Sequence, residues 1–179
     1  MEEIVVQDNP ILAQRAAPVS PEEITSTRIR DIIAHMKAQL ATEPLGVAIA
    51  APQIGESLRI FVVSGKALSR NKGENTPIQP DRTFINPEVL KTSRKKKELH
   101  EGCLSVKSDK QSTLIWGMVK RADKIKIRAY DEHGALAEHS ATGFLAQIFQ
   151  HEIDHLEGIL YTAKAERIYE EDISKPERT

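Results

Sequence analysis

The sequence predicts an α+β fold in a single domain, with antiparallel or mixed β-sheets between a helix near each end. Three observations support this prediction. Apolar residues recur at helical spacing in residues 21–40 and again in residues 142–157, whereas residues 124–130 alternate between apolar and polar side chains. Because strands fill the middle of the chain rather than alternating with helices, a parallel βαβ sheet is not expected.

The first helix is predicted to run from residue 21 to about residue 40. Ser20 is a suitable N-cap, Pro21 fits the first helical position and Glu23 can complete a capping box. The apolar stripe of this helix is expected to lie in the core, and it comprises Ile29, Ile32, Ile33, Met36 and Leu40.

Three strand signals follow in the middle of the sequence. Residues 58–63 are predicted to form a buried strand, and residues 84–90 a second one that an Asn-Pro pair interrupts. Within residues 124–130, Ile125 and Ile127 face one side and the basic side chains face the other. The turn that follows this third strand predicts a hairpin.

The second helix is predicted over residues 142–157, and Gly158 is well placed to end it. Two polar segments are expected to be exposed. One is the Gly- and Pro-containing loop at residues 65–81, and the other is the basic run at residues 94–97, which is interpreted as solvated rather than as a binding patch.

Length and composition predict one domain over residues 1–179, with a core at about 1–161 and a charged tail at 162–179. The net charge of −1 provides no general attraction to nucleic acid or to a membrane. No stretch is long and apolar enough to span a bilayer, and the N-terminus lacks a signal core, so a cytoplasmic location is expected. The single cysteine, Cys103, excludes an intrachain disulfide.

The strongest local motif is His151-Glu152-Ile153-Asp154-His155 in the second predicted helix. Two histidines four residues apart lie on one helix face, so both rings can reach one metal ion. Glu152 lies about 100° around the helix from His151, which suits a base that acts on a metal-bound water. The predicted architecture is therefore α+β, with sheets packed around a C-terminal metal-binding helix.

A hydrolytic site of this type needs a third protein ligand and one open position. Gly102 allows close backbone approach next to Cys103, and a thiolate is a strong ligand for a soft or borderline ion. The pentapeptide alone is also compatible with an ordinary amphipathic helix that binds no metal. The candidates for the third ligand are His35, His100, His133, His139 and Cys103.

Three motifs, in order, resemble those of the peptide deformylase family. Residues 46–53 form a Gly- and Ala-rich stretch that ends in Gln, and residues 101–105 read Glu-Gly-Cys-Leu-Ser. Residues 151–158 read His-Glu-Ile-Asp-His-Leu-Glu-Gly. Together the three motifs are far more specific than the pentapeptide, and the likeness extends to about residue 161.

The resemblance implies a metal-dependent hydrolase that removes the formyl group from the N-terminal formylmethionine of newly made polypeptides. The expected reaction is attack by a metal-bound water or hydroxide on the formyl carbon. The resemblance also implies one divalent ion per chain, typically Fe²⁺, with Zn²⁺, Ni²⁺ or Co²⁺ able to substitute. Its ligands would be Cys103, His151 and His155.

By the same likeness, the catalytic residues come from all three motifs. Glu152 would be the general acid/base, Gln53 and the N–H of Leu104 would stabilise the oxyanion, and Gly46 would line the site. A carboxylate can accept the proton of water and return it to the departing amine, and N–H donors suit a developing oxyanion. The implied partners are nascent formylated polypeptides, with transient proximity to the ribosome.

The chain departs from the family pattern in two places. Ala48 stands where the family usually has Gly, and Val106-Lys107 follows the cysteine motif where the family has Pro. Residues 106–120 are also longer than usual, contain Trp116 and lack an arginine often found there. Since this segment borders the substrate cleft in the family, the departure bears on peptide preference rather than on the metal chemistry.

Two other functions compete with this interpretation. A metallopeptidase with the same pentapeptide would use a third His or Glu after His155. No His follows that residue, and chain length and Cys103 also argue against this class. The glutamates that do follow it are Glu157, Glu166, Glu170, Glu171 and Glu177. A non-catalytic metal-binding or interaction protein on a decayed enzyme scaffold is the other alternative. The intact ligands, Glu152 and Gln53 argue against decay.

Overall fold

Eight strands and three α-helices make up the described chain, which in this computed structural model comprises residues 4–70 and 77–174. The helices are α1 (Thr27–Thr42), α2 (Gly65–Ser69) and α3 (Gly143–Leu156). The strands are β1 (Ala48–Ala50), β2 (Ile60–Val63), β3 (Arg82–Thr92), β4 (Lys96–Glu101), β5 (Thr113–Ala122), β6 (Lys124–Tyr130), β7 (Leu136–Thr142) and β8 (Arg167–Asp172).

The strands form two antiparallel sheets. The larger sheet has the order β1-β2-β3-β6-β7, and the smaller one has the order β4-β5-β8. Sequence-neighbouring strands pair within both sheets, and neither sheet contains a parallel βαβ unit. The predicted α+β class, with sheets around a C-terminal helix, is confirmed.

The larger sheet is covered by a helix on each face. Along β2, Phe61 and Val63 pack in the cluster that contains α3, whereas Ile60 and Val62 pack in the cluster that contains α1. This alternation follows from the pleat of a strand, and it explains why the strand reads as a continuous apolar run. The face of the sheet that carries Phe61 and Val63 is therefore buried against α3.

Aromatic packing sets the position of α3 on the sheet. The Phe61 and Phe84 rings stack with their centroids 4.7 Å apart, and the Phe149 ring of α3 meets them edge-on at 5.7 Å and 4.9 Å. Edge-to-face pairs of this kind add about 0.5–1.5 kcal/mol to the burial of apolar area. The helix that carries the pentapeptide is therefore held at its centre.

The predicted start of the first helix is wrong. Pro21–Glu23 form a short 3-10 turn, and α1 begins only at Thr27, where the Ser26 hydroxyl accepts a hydrogen bond from the Ile29 N–H at 3.3 Å. A second Ser with N-cap geometry lies six residues downstream of Ser20 and caps the helix instead. The predicted core stripe is confirmed, since all five of its apolar residues are buried.

The predicted hairpin is confirmed, because β6 spans residues 124–130 and pairs with β7. The strand predicted at 84–90 is longer, since β3 continues through the Asn-Pro pair with a register shift after Ile85. The helix α3 ends as expected, with Gly158 at a φ of 73°. None of the described helices is long and apolar enough to cross a membrane.

The segments predicted to be a loop at 65–81 and a charged tail at 162–179 are partly integrated into the fold. Within the loop predicted at 65–81, the first residues form α2, in which Ala67 is buried, while residues 71–76 lie outside the described residues. In the charged tail predicted at 162–179, strand β8 pairs with β5 along six residue pairs. Charged residues are common in edge strands as well as in disordered tails. The charged composition of residues 162–179 therefore did not predict the edge strand β8.

Candidate active site

The structure brings Cys103 to the two histidines of α3. The Cys103 Sγ lies 3.2 Å from Nε2 of His155, and the ligand atoms of Cys103, His151 and His155 all lie within 4.8 Å of one another. This convergence forms a possible Cys-His₂ metal site. Among the described residues no other His joins this group: His35 lies on α1, His100 on β4, His133 in the β6–β7 turn and His139 on β7.

A buried carboxylate orients one of the histidines. The His151 ring donates from Nδ1 to Oε2 of Glu101 at 3.0 Å, which leaves Nε2 free to face the site. The Arg121 guanidinium in turn donates two hydrogen bonds to Glu101, at 2.7 Å and 2.8 Å. Although burial opposes ionisation, the hydrogen bonds from Arg121 and His151 lower the pKa of Glu101 to about 2.

The same arginine joins the smaller sheet to α3. Its Nη1 donates to Oδ2 of Asp154 at 2.5 Å, and Lys164 donates to the other Asp154 oxygen at 2.6 Å. The sequence motifs assigned no role to Asp154 or to Arg121. The sequence offers only a weak signal, since Arg121 follows Lys120 and both lie between the apolar residues Val119 and Ala122.

Glu152 is buried beside the possible metal ligands, with 4% of its surface exposed. Its Oε2 has no hydrogen-bond partner among the described residues. Burial raises the pKa of Glu152 to about 7, which suits a group that accepts and returns a proton near neutral pH. A buried, unpartnered carboxylate oxygen in a polar site indicates a place for a water or a substrate group.

The environment of Cys103 favours the thiolate that a metal ion requires. Burial alone raises the pKa of a thiol, but the neighbouring His155 and His151 rings hold the pKa of Cys103 well below its usual value. A thiolate with two imidazoles is a donor set suited to borderline divalent ions. The residues present therefore fit the metal that the resemblance implies.

Gln53 is fixed next to this group by its own side chain. Its Oε1 accepts from the Ala50 N–H at 2.8 Å, and its Nε2 donates to Ser105 Oγ at 3.2 Å and contacts Cys103 Sγ at 3.5 Å. The side chain is buried, so these contacts hold its amide rigidly. Within the described residues, no acceptor takes the N–H of Leu104, which follows the cysteine in a turn.

Two glycines near the site are required by packing. A Cβ on Gly46 would lie 2.9 Å from both the Glu43 Cβ and the Leu40 Cδ1, so this residue lies tightly against α1. A Cβ on Gly102 would lie 3.1 Å from the Trp116 ring. Close approach to a neighbouring element therefore accounts for a small residue at both positions.

A cleft of about 540 Å³ opens next to Cys103 and Glu152. Residues of the 106–120 segment line it, as expected, although half of that segment is strand β5 rather than a loop. The Trp116 ring is fixed there, since its Nε1 donates to Oε2 of Glu171 on β8 at 2.6 Å. The apolar part of the lining includes Leu45, Val47, Leu104, Val106, Leu114, Ile115, Phe144 and Ile148.

A family model described as polypeptide deformylase matches residues 1–171 of the chain. The chain belongs to the polypeptide deformylase family. Enzymes of this family remove the N-formyl group from nascent polypeptides, so the predicted hydrolase class and reaction are confirmed. The metallopeptidase alternative is excluded by this membership.

Curated deformylases cover most of the chain. A peptide deformylase of Dictyoglomus turgidum is 39% identical over 158 residues, which are 88% of each chain. Peptide deformylase 1A, chloroplastic/mitochondrial, of Arabidopsis thaliana is 38% identical over 169 residues, and the match spans 90% of this chain but 60% of the plant protein. The similarity thus extends over about nine tenths of this chain.

A solved deformylase has the same architecture. The class I type b peptide deformylase of Acinetobacter baumannii, in a structure with bound Met-Ala-Ser, superimposes with a TM-score of 0.76 at 34% identity. The superposition covers 91% of this chain and 98% of the other. The two chains therefore share one fold over most of their length.

Proposed function

We propose that this chain hydrolyses the formyl amide of N-formylmethionyl peptides and that Glu152 moves the protons in the reaction. The observation that carries the proposal is the placement of Glu152. Its buried carboxylate has an unpartnered oxygen, lines the cleft and lies next to the cluster of Cys103, His151 and His155.

We infer that Cys103, His151 and His155 hold one divalent ion, which is Fe²⁺ in the native enzyme, with Zn²⁺, Ni²⁺ or Co²⁺ able to substitute. Three protein ligands leave a position open for substrate chemistry. When bound, the ion supplies Lewis acidity, which lowers the pKa of water and polarises a carbonyl oxygen. Glu101 supports this set by holding the His151 ring at Nδ1.

Glu152 serves both halves of the hydrolysis. Its carboxylate accepts a proton from water as the water oxygen bonds to the formyl carbon. The same carboxyl group then donates that proton to the amide nitrogen as the carbon–nitrogen bond breaks, which releases formate and a free amino terminus. A pKa of about 7 favours both the uptake and the return of the proton.

Gln53 and the N–H of Leu104 stabilise the negative charge that builds on the formyl oxygen. The Gln53 amide is held in place at its Oε1, so its N–H groups cost little reorganisation when they bind an oxyanion. Its 3.5 Å contact with Cys103 is the weakest of its hydrogen bonds and is the one replaced. Gly46 lines the cleft wall close to this group.

The apolar cleft receives the methionine side chain and the residues that follow it. Burial of apolar side chains excludes water and stabilises binding at about 25 cal/mol per Å². The substrates are nascent formylated polypeptides, so the enzyme works in the cytoplasm in transient proximity to the ribosome. Neither nucleic acid nor a membrane takes part in this reaction.

Turnover of a short formyl-Met peptide tests the proposal directly. Metal-free protein is expected to be inactive, and addition of one equivalent of Fe²⁺ or Ni²⁺ per chain is expected to restore formate release. Metal content by elemental analysis and formate production are measured on the same samples. Full activity without metal, or stoichiometric metal without any formate release, would contradict the proposal.

Iron-loaded enzyme is expected to lose activity in air faster than nickel-loaded enzyme. Fe²⁺ is oxidised by air, and the Cys103 thiolate beside it is itself oxidisable, whereas Ni²⁺ resists oxidation. Residual turnover is followed during incubation in air, with anaerobic samples of both forms as controls. Equal, slow losses in both metal forms would count against Fe²⁺ as the sensitive species.

A further inference from the structure

The cleft follows one face of α3 away from the catalytic residues. Phe144, Ile148 and His151 recur at the spacing of one helix face, and all three line the cleft. Seven residues of α-helix rise about 10 Å, so Phe144 lies about 10 Å along the axis from His151. An extended peptide advances about 3.3 Å per residue, so this distance corresponds to about three substrate residues.

Arg70 lies at this far end of the cleft. Its guanidinium carbon is 4.4 Å from the centroid of the Phe144 ring, and the side chain is exposed to solvent. A planar guanidinium stacked on a ring keeps its N–H donors in plane and available to a partner. The contact with Phe144 therefore holds the positive charge of Arg70 about 10 Å along α3 from His151. The third residue of an extended substrate reaches the same distance.

The charge of Arg70 is not compensated within the cleft. It is the single Lys or Arg among the described residues of the lining. The two lining carboxylates are both buried: Glu101 is paired with Arg121 and His151, and Glu152 lies beside the possible metal ligands. Across the part of the chain that the structure describes, Arg70 has no carboxylate partner.

We infer that Arg70 determines substrate specificity by binding a carboxylate at the third residue of the formylated peptide. This carboxylate is either an acidic side chain or, in a tripeptide, the C-terminal group, and Arg matches both through two parallel N–H donors. The inference rests on the proposed function, because the formyl group must lie at Glu152 for the third residue to reach Phe144.

Two pairs of peptides test the inference on nickel-loaded enzyme. The first pair is formyl-Met-Ala-Asp-Ala-amide and its Asn analogue, and the second is formyl-Met-Ala-Ser with a free or an amidated C-terminus. The acidic member of each pair is expected to have a kcat/KM about three- to fivefold higher, mainly through KM, which is the range for a partly exposed ion pair. The response of each pair distinguishes a side-chain carboxylate from a terminal one.

For each peptide pair, the measured quantity is the kcat/KM of the acidic peptide divided by that of its neutral partner. Where the unmodified enzyme prefers the acidic peptide, Arg70→Gln is expected to bring this ratio close to one. The matched control is Lys66→Gln, which removes an exposed cation from α2, four residues away and outside the cleft lining, and should preserve the ratio. A ratio near one in the unmodified enzyme, or an unchanged ratio in Arg70→Gln, would overturn the inference. Absence of turnover with the neutral peptides would instead overturn the proposed function.

Discussion

Replacement of Glu152 by Gln is expected to leave one metal ion bound per chain and to lower kcat for a formyl-Met peptide by about 10⁴-fold. General acid–base catalysis contributes typically about 10²–10⁴-fold, and one residue is proposed to serve both proton transfers, so the upper end is expected. Gln has nearly the shape of Glu and still forms hydrogen bonds, but it cannot accept a proton. Folding should therefore be little affected while the reaction is lost.

The control for this variant is His155→Ala, which removes a proposed metal ligand from the same face of α3. Because the Cys103 thiolate and His151 alone make a two-coordinate site, this second variant is expected to lose metal and activity together. Metal content and kcat are measured side by side for both proteins. Near-normal turnover in Glu152→Gln, or metal loss equal to that of His155→Ala, would show that Glu152 does not act as proposed.

Replacement of Arg121 by Met is expected to lower the free energy of unfolding by about 3–5 kcal/mol, the range for a buried charge that loses its partner. The Arg121 side chain is 4% exposed and pairs with two carboxylates, of which Glu101 is 2% and Asp154 is 12% exposed. Without the guanidinium, two buried carboxylates keep only His151 and Lys164 as partners. Because Met retains much of the side-chain volume, the expected loss of stability comes from the missing charge and not from a cavity.

Arg128→Met is the matched control on β6, which follows β5 in the chain but belongs to the larger sheet. Its pair with Glu88 is 2.6 Å long, but the two side chains are 45% and 59% exposed. Exposed pairs contribute little to stability because solvent screens them, so this variant should leave the free energy of unfolding nearly unchanged. Urea unfolding is compared with both proteins saturated with Ni²⁺, since metal binding adds to apparent stability. Equal destabilisation of the two variants would refute a special role for the buried network.

The sequence by itself determined the elements whose signal is local. The alternation around Ile125 and Ile127 placed β6 at its observed bounds, and the helical spacing of the apolar residues placed α3 within one residue at each end. The same local regularity put His151 and His155 on one face, because residues four apart on a helix are always neighbours. The local signal at Ser20 misplaced the start of α1, because Ser26 caps that helix in the structure.

The tertiary structure alone decided which distant groups meet. Five residues were candidates for the third ligand, and only folding brought Cys103 to His155 across 52 positions of sequence. The pairing of Arg121 with Glu101 and Asp154 likewise joins β5, β4 and α3. The spacing of apolar residues within each of these elements does not indicate which other element it contacts. Periodicity reports which side of an element is buried, whereas the partner of a buried charge depends on sheet register and helix docking, which are set by long-range packing.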